Sequence, residues 1–201
     1  MNGRLYEFFG RFPERKGLAE RRARLVGDLE GDVLEVGAGT GFTLPHYRKA
    51  GRIVAVEPDP SMARPLRERA GTAPIPVEVI DAAAEELPFA DASFDHVVCA
   101  LVLCSVRDPD RALAEIRRVL KPSGSLVFLE HVRGGGRLAR WQDRLTPLQS
   151  RLFDGCHLNR ETPRAIERAG FRVETLDPFE LPGAHPLARP AVQGVAIRTS
   201  S

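Results

Sequence analysis

An apolar stretch that runs directly into three alternating glycines constrains this chain more than any other feature of its sequence. Residues 33–41 read Val-Leu-Glu-Val-Gly-Ala-Gly-Thr-Gly, a short strand that carries Glu35 and is followed by Gly37, Gly39 and Gly41. Glycine lacks a Cβ, so a turn of this kind between a strand and a helix lets a ligand lie against the main chain. The motif predicts a binding site for a nucleoside-like cofactor.

Short apolar segments rich in β-branched residues alternate with helix-like stretches along the chain. This alternation is typical of βαβ units, and it predicts an α/β fold with a doubly wound, mostly parallel sheet and helices on both faces. Asp108 and Pro109 predict the start of one helix, as an N-cap followed by proline. Residues 121–124 predict its end, since Pro122 cannot continue a helix and Gly124 permits a reversal. The predicted strands are 33–36, 53–56, 77–80, 94–99, 126–129, 171–176 and 192–197, and the predicted helices include 110–120, 138–153 and 162–170.

Length and composition indicate one domain with a single core. The chain has 201 residues, 43% of them hydrophobic and 28% charged, which suffices for one well-buried core. We expect one domain over residues 1–201, made of an N-terminal helical segment (1–28), a cofactor-binding half (29–132) and a substrate-side half (133–201). No apolar run is long enough to cross a membrane and no secretory signal is apparent, so a cytoplasmic location is expected. A net charge of +2 argues against nucleic acid as a partner.

The cysteines show no local pattern of a disulfide or metal site. Cys99, Cys104 and Cys156 are an odd number without a Cys-x-x-Cys spacing. This spacing indicates neither a disulfide framework nor a zinc site, so we expect reduced thiols and no bound metal. Free cysteine usually behaves as a small buried hydrophobe, so Cys104 is not assigned as a nucleophile.

Glu57 closes the second predicted strand, twenty residues after Gly37. A carboxylate there can accept hydrogen bonds from both ribose hydroxyls of a nucleoside, a feature common to dinucleotides and S-adenosylmethionine. The glycine spacing separates the two, because Gly-x-Gly-x-Gly differs from the Gly-x-Gly-x-x-Gly of dinucleotide sites. Glu35 is unfavourable beside a pyrophosphate but stabilises a cation such as an ammonium or a sulfonium. The motif therefore favours S-adenosylmethionine, with a nicotinamide-dependent oxidoreductase as the alternative.

A third acidic residue, Asp81, closes the third predicted strand. We expect it to accept a hydrogen bond from the exocyclic amine of adenine, with Ala82 and Ala83 leaving room for the ring. Met62 is expected to cover the ring face with its thioether. The alternatives are that Glu57 and Asp81 cap helices and that Met62 belongs to the core.

In combination and in order, these segments resemble the class I S-adenosylmethionine-dependent methyltransferases. The resemblance covers about residues 30–132: the motif at 34–41, Val-Ala-Val-Glu-Pro at 54–58, Asp81 with its alanines, Leu-Pro-Phe at 87–89, Ser-Phe-Asp at 93–95 and Leu-Lys-Pro-Ser-Gly at 120–124. It implies a seven-stranded sheet whose last strand is antiparallel, with S-adenosylmethionine bound over the carboxyl ends of strands one to four. The cofactor-binding residues expected on this basis are Glu35, Gly37, Ala38, Gly39, Thr40, Gly41, Glu57, Pro58, Met62, Asp81, Ala82, Ala83, Cys99 and Ala100.

A narrower resemblance covers residues 97–106, 130–132, 152–161 and 189–196. These segments are similar to the methyltransferase-like 7 proteins of animals, which are membrane-associated thiol S-methyltransferases. The resemblance implies a small-molecule methyl acceptor and favours a thiol. It departs at the front, where the animal proteins have a hydrophobic membrane segment and this chain has Leu5, Phe8, Phe9 and Phe12 among charged residues. This segment is expected to be a packed N-terminal helix, a lid over the acceptor or a weak peripheral membrane contact.

Two histidines are the candidates on the acceptor side. His131 follows the fifth predicted strand, where side chains face the cofactor crevice, and His157 lies near Asp154 and Arg160. We expect His131, His157 and Asp154 at the substrate site, with Asp154 orienting His157 or capping a turn. A hydrogen-bonded structural role is the alternative for each histidine.

The sequence leaves the acceptor atom open. Methyl transfer from a sulfonium is an in-line displacement with a neutral leaving group, so alignment and exclusion of water matter most. A thiol, with a free pKa of about 8.5, needs a general base less than a hydroxyl does. Transfer to oxygen, nitrogen or carbon of a phenol, phospholipid or quinone, and a cofactor-binding protein without catalytic activity, are the alternatives. The oligomeric state is not indicated.

Overall fold

Strands and helices alternate along the chain as the hydrophobic pattern predicts. The computed structural model describes residues 3–152 and 155–199, except for the side chains of residues 4–6, 8, 9 and 152. The strands are β1 (Gly31–Val36), β2 (Ala50–Val56), β3 (Val77–Ile80), β4 (Phe94–Ala100), β5 (Leu120–His131), β6 (Phe171–Glu180) and β7 (Pro190–Arg198). The α-helices are α1 (Gly3–Pro13), α2 (Ala19–Val26), α3 (Pro60–Ala70), α4 (Pro109–Val119), α5 (Gly136–Leu152) and α6 (Thr162–Arg168).

The described strands form one sheet in the order β3-β2-β1-β4-β5-β7-β6. Strands β1 to β5 pair in parallel, whereas β7 runs antiparallel between β5 and β6. The predicted fold class is confirmed, including the antiparallel last strand. The strand order reverses between β1 and β4, and in sheets of this kind a ligand binds at the carboxyl ends of the strands at such a reversal.

The central strands are buried on both faces, which explains their nearly continuous apolar sequences. On one face, Leu34 and Val36 pack in a cluster with Leu113 and Ile116 of α4. On the other face, Val33 packs in a second cluster that includes Leu66 of α3. Both clusters reach the carboxyl end of β1, so the turn that follows this strand is held between two packed layers.

Helix α4 begins and ends within one residue of its predicted bounds. The Asp108 carboxylate accepts hydrogen bonds from the main-chain N–H groups of Asp110, at 3.1 Å, and Arg111, at 3.0 Å, which confirms the N-cap. Residues 121–124 follow the end of the helix as predicted and interrupt the regular pairing of β5, since Leu120 pairs with Phe94 and Ser125 pairs next with His96. The strand is longer than predicted, because β5 begins at Leu120. Gly124 has no positive φ; instead, a Cβ there would lie 2.6 Å from the carbonyl oxygen of Asp95. Close approach of a neighbouring strand requires this glycine.

Candidate active site

The glycine turn after β1 has the conformation that its sequence requires. Gly37, Gly39 and Gly41 have φ angles of 61°, 59° and 85°, all in the left-handed region that favours glycine. A Cβ on Gly37 would lie 2.0 Å from the Cγ2 atom of Val102, which cannot be accommodated without movement of the main chain or of that side chain. The turn therefore combines a left-handed backbone with close packing against the loop after β4.

Glu57, at the end of β2, is joined to this turn by hydrogen bonds. Its Oε2 atom accepts the main-chain N–H of Gly39 at 2.8 Å, and its Oε1 atom accepts that of Asp59 at 3.0 Å. Burial raises the pKa of Glu57, although these two hydrogen bonds oppose the shift. Each carboxylate oxygen can accept a second hydrogen bond, so Glu57 can bind two hydroxyl groups while it holds the turn.

A cavity of about 680 Å³ opens over the glycine turn at the carboxyl ends of β1, β2 and β4. This volume lies within the range of sites for cofactors and drug-sized ligands. Six of the predicted residues line it, namely Gly37, Gly39, Glu57, Pro58, Met62 and Ala83. The structure thus brings the glycine turn, the acid after β2 and the predicted ring-covering methionine to one cavity.

The other predicted cofactor residues lie near this cavity but not among its lining residues. Ala38 and Thr40 are buried within the turn, and the Thr40 hydroxyl has no hydrogen-bond partner. Asp81 is exposed, and Ala82 packs against the core. Cys99 is fully buried and Ala100, the last residue of β4, is partly buried. Gly41 closes the turn, where a Cβ would lie 2.9 Å from the Cδ1 atom of Leu66.

Glu35 lies in a buried polar network. The Tyr47 hydroxyl donates a hydrogen bond to its Oε2 atom at 3.1 Å. Nearby, Arg22 of α2 donates hydrogen bonds to the Thr43 hydroxyl at 2.8 Å and to the Glu14 carboxylate at 3.0 Å. Burial raises the pKa of Glu35, and hydrogen bonding together with the charge of Arg22 opposes the shift. In this structure Glu35 connects β1 to the N-terminal helices, and it does not line the cavity.

The loop after β4 supplies cavity residues that the residue-by-residue prediction missed. Leu101 has a φ of 64°, an uncommon angle for a residue with a side chain. Leu101, Val102 and Ser105 line the cavity, and so do Asp108 and Arg111 at the start of α4. The narrower family resemblance at residues 97–106 was the only signal that pointed to this loop, because its residue types carry no cofactor motif of their own.

Glu130, a fully buried carboxylate in β5, holds this loop in place. It accepts hydrogen bonds from the main-chain N–H groups of Val102 and Leu103 at 2.9 Å and of Cys104 at 3.4 Å. Burial raises its pKa to about 8, with the neighbouring Cys104 adding to the shift. Hydrogen-bond donors from three consecutive residues fix the loop, and with it the direction of the Cys104 side chain.

Cys104, His131 and Cys156 form a cluster of two thiols and an imidazole, which we call the sulfur–imidazole cluster. Their Sγ and Nε2 atoms all lie within 4.8 Å of one another, and His131 Nε2 is 2.8 Å from Cys156 Sγ. Hydrogen bonding from Cys156 lowers the pKa of Cys104 despite its burial, whereas the same contact raises the pKa of Cys156. His131 is buried, yet the charge of Cys104 raises its pKa. Sequence spacing could not reveal this cluster, since its members lie on three separate segments.

The remaining acceptor-side candidates surround the cluster. The main-chain N–H of His157 donates a hydrogen bond to the Cys104 carbonyl oxygen at 2.8 Å, and its own Nδ1 atom is buried without a partner. Arg160 donates hydrogen bonds to the carbonyl oxygens of Leu103 and Val106, the latter at 2.6 Å. Asp154 lies outside the described residues. The structure therefore brings His131 and His157 to one loop, with His131 alone in the cluster.

The N-terminal helix α1 packs on the cofactor side of the molecule. The main-chain N–H of Gly3 donates a hydrogen bond to the Ser61 hydroxyl at the start of α3. Glu7 forms an ion pair with Arg69, whose guanidinium also donates to the Thr40 carbonyl oxygen and stands 4.5 Å from the centre of the Phe42 ring. These contacts connect the predicted lid segment to the glycine turn. None of the helices in the described part of the chain is long and apolar enough to cross a membrane.

Comparison with known proteins agrees with this geometry. Residues 34–128 match the family described as a methyltransferase domain. The chain is 39% identical over 171 residues to the thiol S-methyltransferase TMT1A of Homo sapiens. The aligned region covers 83% of this chain and 70% of the relative. It is 33% identical over 180 residues to a phosphatidylethanolamine N-methyltransferase of Cereibacter sphaeroides, with coverage of 86% and 84%.

A solved structure is similar over nearly the whole chain. An S-adenosylmethionine-dependent methyltransferase of Thermotoga maritima superimposes with a TM-score of 0.65 at 29% identity, with 96% of each chain covered. The similarity extends beyond the cofactor-binding half, through β6 and β7.

Proposed function

This chain belongs to the class I S-adenosylmethionine-dependent methyltransferases, and on that premise we propose that it transfers a methyl group to the sulfur of a small thiol. One observation supports the proposal above others: the cavity over the glycine turn and the sulfur–imidazole cluster meet at Ser105. This residue lines the cavity, and its hydroxyl oxygen is 3.5 Å from Cys104 Sγ. The cavity proposed to bind the nucleoside therefore lies next to the sulfur–imidazole cluster.

The residues around the cavity fit S-adenosylmethionine. Gly37 and Gly39 line the cavity without side chains, so a ligand can lie against the main chain of the turn there. We assign the ribose hydroxyls to Glu57, the adenine face to Met62 and the exocyclic amine to Asp81. When bound, S-adenosylmethionine supplies a methyl group on a positively charged sulfur.

The acceptor end is suited to a thiolate. Arg160 provides positive charge near Cys104, and His131, whose pKa is raised by the charge of Cys104, lies in the same largely buried cluster. Positive charge favours the thiolate, which is the nucleophilic form, and opposes burial, which favours the neutral thiol. Enclosure also excludes water from the reacting atoms. The similarity to thiol S-methyltransferases supports the same acceptor class, and His131, His157 and Asp154 are proposed as substrate-side residues.

Three two-carbon alcohols that differ in one functional group, a thiol, an amine or a second hydroxyl, test the proposal. Methyl-labelled S-adenosylmethionine is incubated with the full chain and 2-mercaptoethanol, ethanolamine or ethylene glycol, and the products are identified by mass spectrometry. The proposal expects the thioether from 2-mercaptoethanol and no product from the amine or the diol. Vesicles of phosphatidylethanolamine test the N-methyl alternative directly. Transfer to the amine or to the lipid, with none to the thiol, would reject the thiol assignment.

A further inference from the structure

The donor atoms of the sulfur–imidazole cluster lie close enough together to converge on one metal ion. Cys104 Sγ, His131 Nε2 and Cys156 Sγ lie within 4.8 Å of one another, with 2.8 Å between the imidazole nitrogen and Cys156 Sγ. In a tetrahedral zinc site, with Zn–S of about 2.3 Å and Zn–N of about 2.0–2.1 Å, neighbouring ligand atoms are roughly 3.5–3.8 Å apart. The 2.8 Å contact is shorter than this spacing, so a bound ion requires these two side chains to move apart by roughly 0.7 Å.

We propose that Cys104, His131 and Cys156 bind one Zn²⁺ ion whose fourth coordination position accepts the thiol substrate. Thiolate and imidazole are ligands that zinc prefers, and a site with three protein ligands keeps one position open. The role of the fourth position rests on the proposed thiol methylation. The metal site itself rests on the donor atoms alone.

The main chain around the cluster fixes the direction of two ligands. Glu130 accepts the N–H groups of residues 102–104, and His131 follows it directly in β5. The N–H of His157 donates to the Cys104 carbonyl oxygen, which ties the segment that carries Cys156 to the loop that carries Cys104. Three separate chain segments are therefore held together by hydrogen bonds that do not involve the proposed ligand atoms, as pre-organised metal sites require.

The surrounding charges match a divalent ion. Two thiolates neutralise the charge of Zn²⁺, and a neutral imidazole adds none. The ion and its three ligands therefore carry no net charge, which is what a largely buried site requires. Without a cation, two thiols and an imidazole are confined in a buried space and must share protons among themselves.

The cluster adjoins the cavity from which the methyl group would come. Ser105 Oγ is 3.5 Å from Cys104 Sγ and lines the cofactor cavity, and Cys156 is partly exposed. On binding zinc, the substrate thiol loses its proton to water and forms a Zn–S bond. In the transfer, the new carbon–sulfur bond forms as the methyl–sulfonium bond breaks, the electron pair stays on the cofactor sulfur, and the thioether product leaves the metal.

Metal content tests the site without reference to activity. The full chain is expressed with zinc in the medium, passed through a chelating resin and analysed by plasma mass spectrometry. We expect close to one zinc per chain in the wild type and at least a five-fold loss in Cys104→Ser, His131→Gln and Cys156→Ser. His185→Gln, which changes an exposed histidine outside the cluster, is the control and should keep its zinc. Circular dichroism and S-adenosylmethionine affinity identify any variant that fails to fold.

Cobalt reports the coordination of the fourth position. The Co²⁺-substituted wild type should show thiolate-to-cobalt charge transfer and the visible bands of a tetrahedral site, and 2-mercaptoethanol should shift these bands whereas ethylene glycol should not. A folded wild type that binds neither zinc nor cobalt would overturn the metal site. Full retention of zinc by all three ligand variants would overturn it too. A cobalt spectrum unchanged by the thiol would overturn the role of the fourth position. Thiol methylation by a zinc-free enzyme would leave the proposed function standing and reject the role of the fourth position, whereas zinc binding without thiol methylation would support the site and reject the function.

Discussion

Glu57 accepts a hydrogen bond from the main-chain N–H of Gly39 at 2.8 Å, which joins the end of β2 to the glycine turn after β1. The carboxylate that we propose binds a ribose therefore also fixes the glycine turn beside the cavity. These two functions belong to one side chain, so the turn and the acid act as a unit. A change in either should affect cofactor affinity through the other.

Replacing Glu57 with glutamine should weaken S-adenosylmethionine binding by about 10- to 100-fold, because charged hydrogen bonds contribute roughly 1.5–3 kcal/mol each. Titration calorimetry measures the dissociation constant. Glu86→Gln is the matched control, since Glu86 lines the same cavity but is exposed, and it should change the constant less than three-fold. Equal effects of the two variants would show that Glu57 has no special role.

Replacing Gly37 with alanine should lower both stability and cofactor affinity. The added Cβ would lie 2.0 Å from the Cγ2 atom of Val102. The φ of 61° at this position adds strain, because a non-glycine residue in the left-handed region costs about 1–3 kcal/mol. We expect a melting temperature several degrees lower and a dissociation constant at least ten-fold higher. At Gly135 no atom lies within 4 Å of an added Cβ and φ is not positive. Gly135→Ala should therefore match the wild type, and a Gly37→Ala protein that did so too would contradict the packing described for this turn.

Arg69 should couple the N-terminal helix to the glycine turn, because it contacts Glu7, the Thr40 carbonyl oxygen and the Phe42 ring. Arg69→Met removes the charge but keeps much of the apolar side chain, and we expect S-adenosylmethionine affinity to fall three- to ten-fold. Arg64→Met on the same helix removes only an exposed ion pair with Glu68 and should have little effect.

Deletion of residues 1–16 tests whether the N-terminal segment is a lid over the acceptor. The lid hypothesis predicts weaker acceptor binding in the deletion variant, and unchanged acceptor affinity would exclude it.

Asp95 should contribute pH-dependent stability. Hydrogen bonds from Lys121 and from the main-chain N–H of Asp32 lower its pKa. A carboxyl group whose folded pKa is depressed stabilises the protein above its unfolded pKa, about 3.9, and loses that contribution as the pH falls through the folded value.

Urea unfolding of Asp95→Asn and of the wild type measures this contribution. We expect the variant to be less stable at pH 7 by about 1 kcal/mol and the difference to shrink as the pH falls from 4 to 2. Asp91→Asn, which removes an exposed partner of Arg118, is the control with a smaller change at pH 7. A difference for Asp95→Asn that stays constant with pH would contradict the ionic origin of the effect.

Local chemistry made much of the fold predictable. The strand at 33–36, the glycine conformations and the Asp108 N-cap each depend on a few neighbouring residues, so their sequences suffice to predict them. Gly124 was misread because its constraint is the carbonyl oxygen of Asp95, on a neighbouring strand. A distant contact of that kind leaves no local pattern.

The site divides in the same way. Glu57 and Met62 were predictable because they follow a strand that the hydrophobic pattern identifies, and both line the cavity. The approach of Cys104, His131 and Cys156 depends on how three segments pack, so spacing rules for metal ligands, which assume ligands close in sequence, gave no indication of it. Packing of the whole fold, rather than any motif, creates the acceptor end of the site.

The central claim is that the methyl group goes to sulfur, and competition within one molecule tests it most directly. 4-Mercaptophenol carries a thiol and a phenol on the same ring, so both groups meet the enzyme at equal concentration. With ¹³C-methyl S-adenosylmethionine, the product is identified by its carbon resonance, since S-methyl and O-methyl carbons are well separated. The account predicts the S-methyl product and its loss in Glu57→Gln at low cofactor concentration. Formation of the O-methyl product in its place would contradict the account.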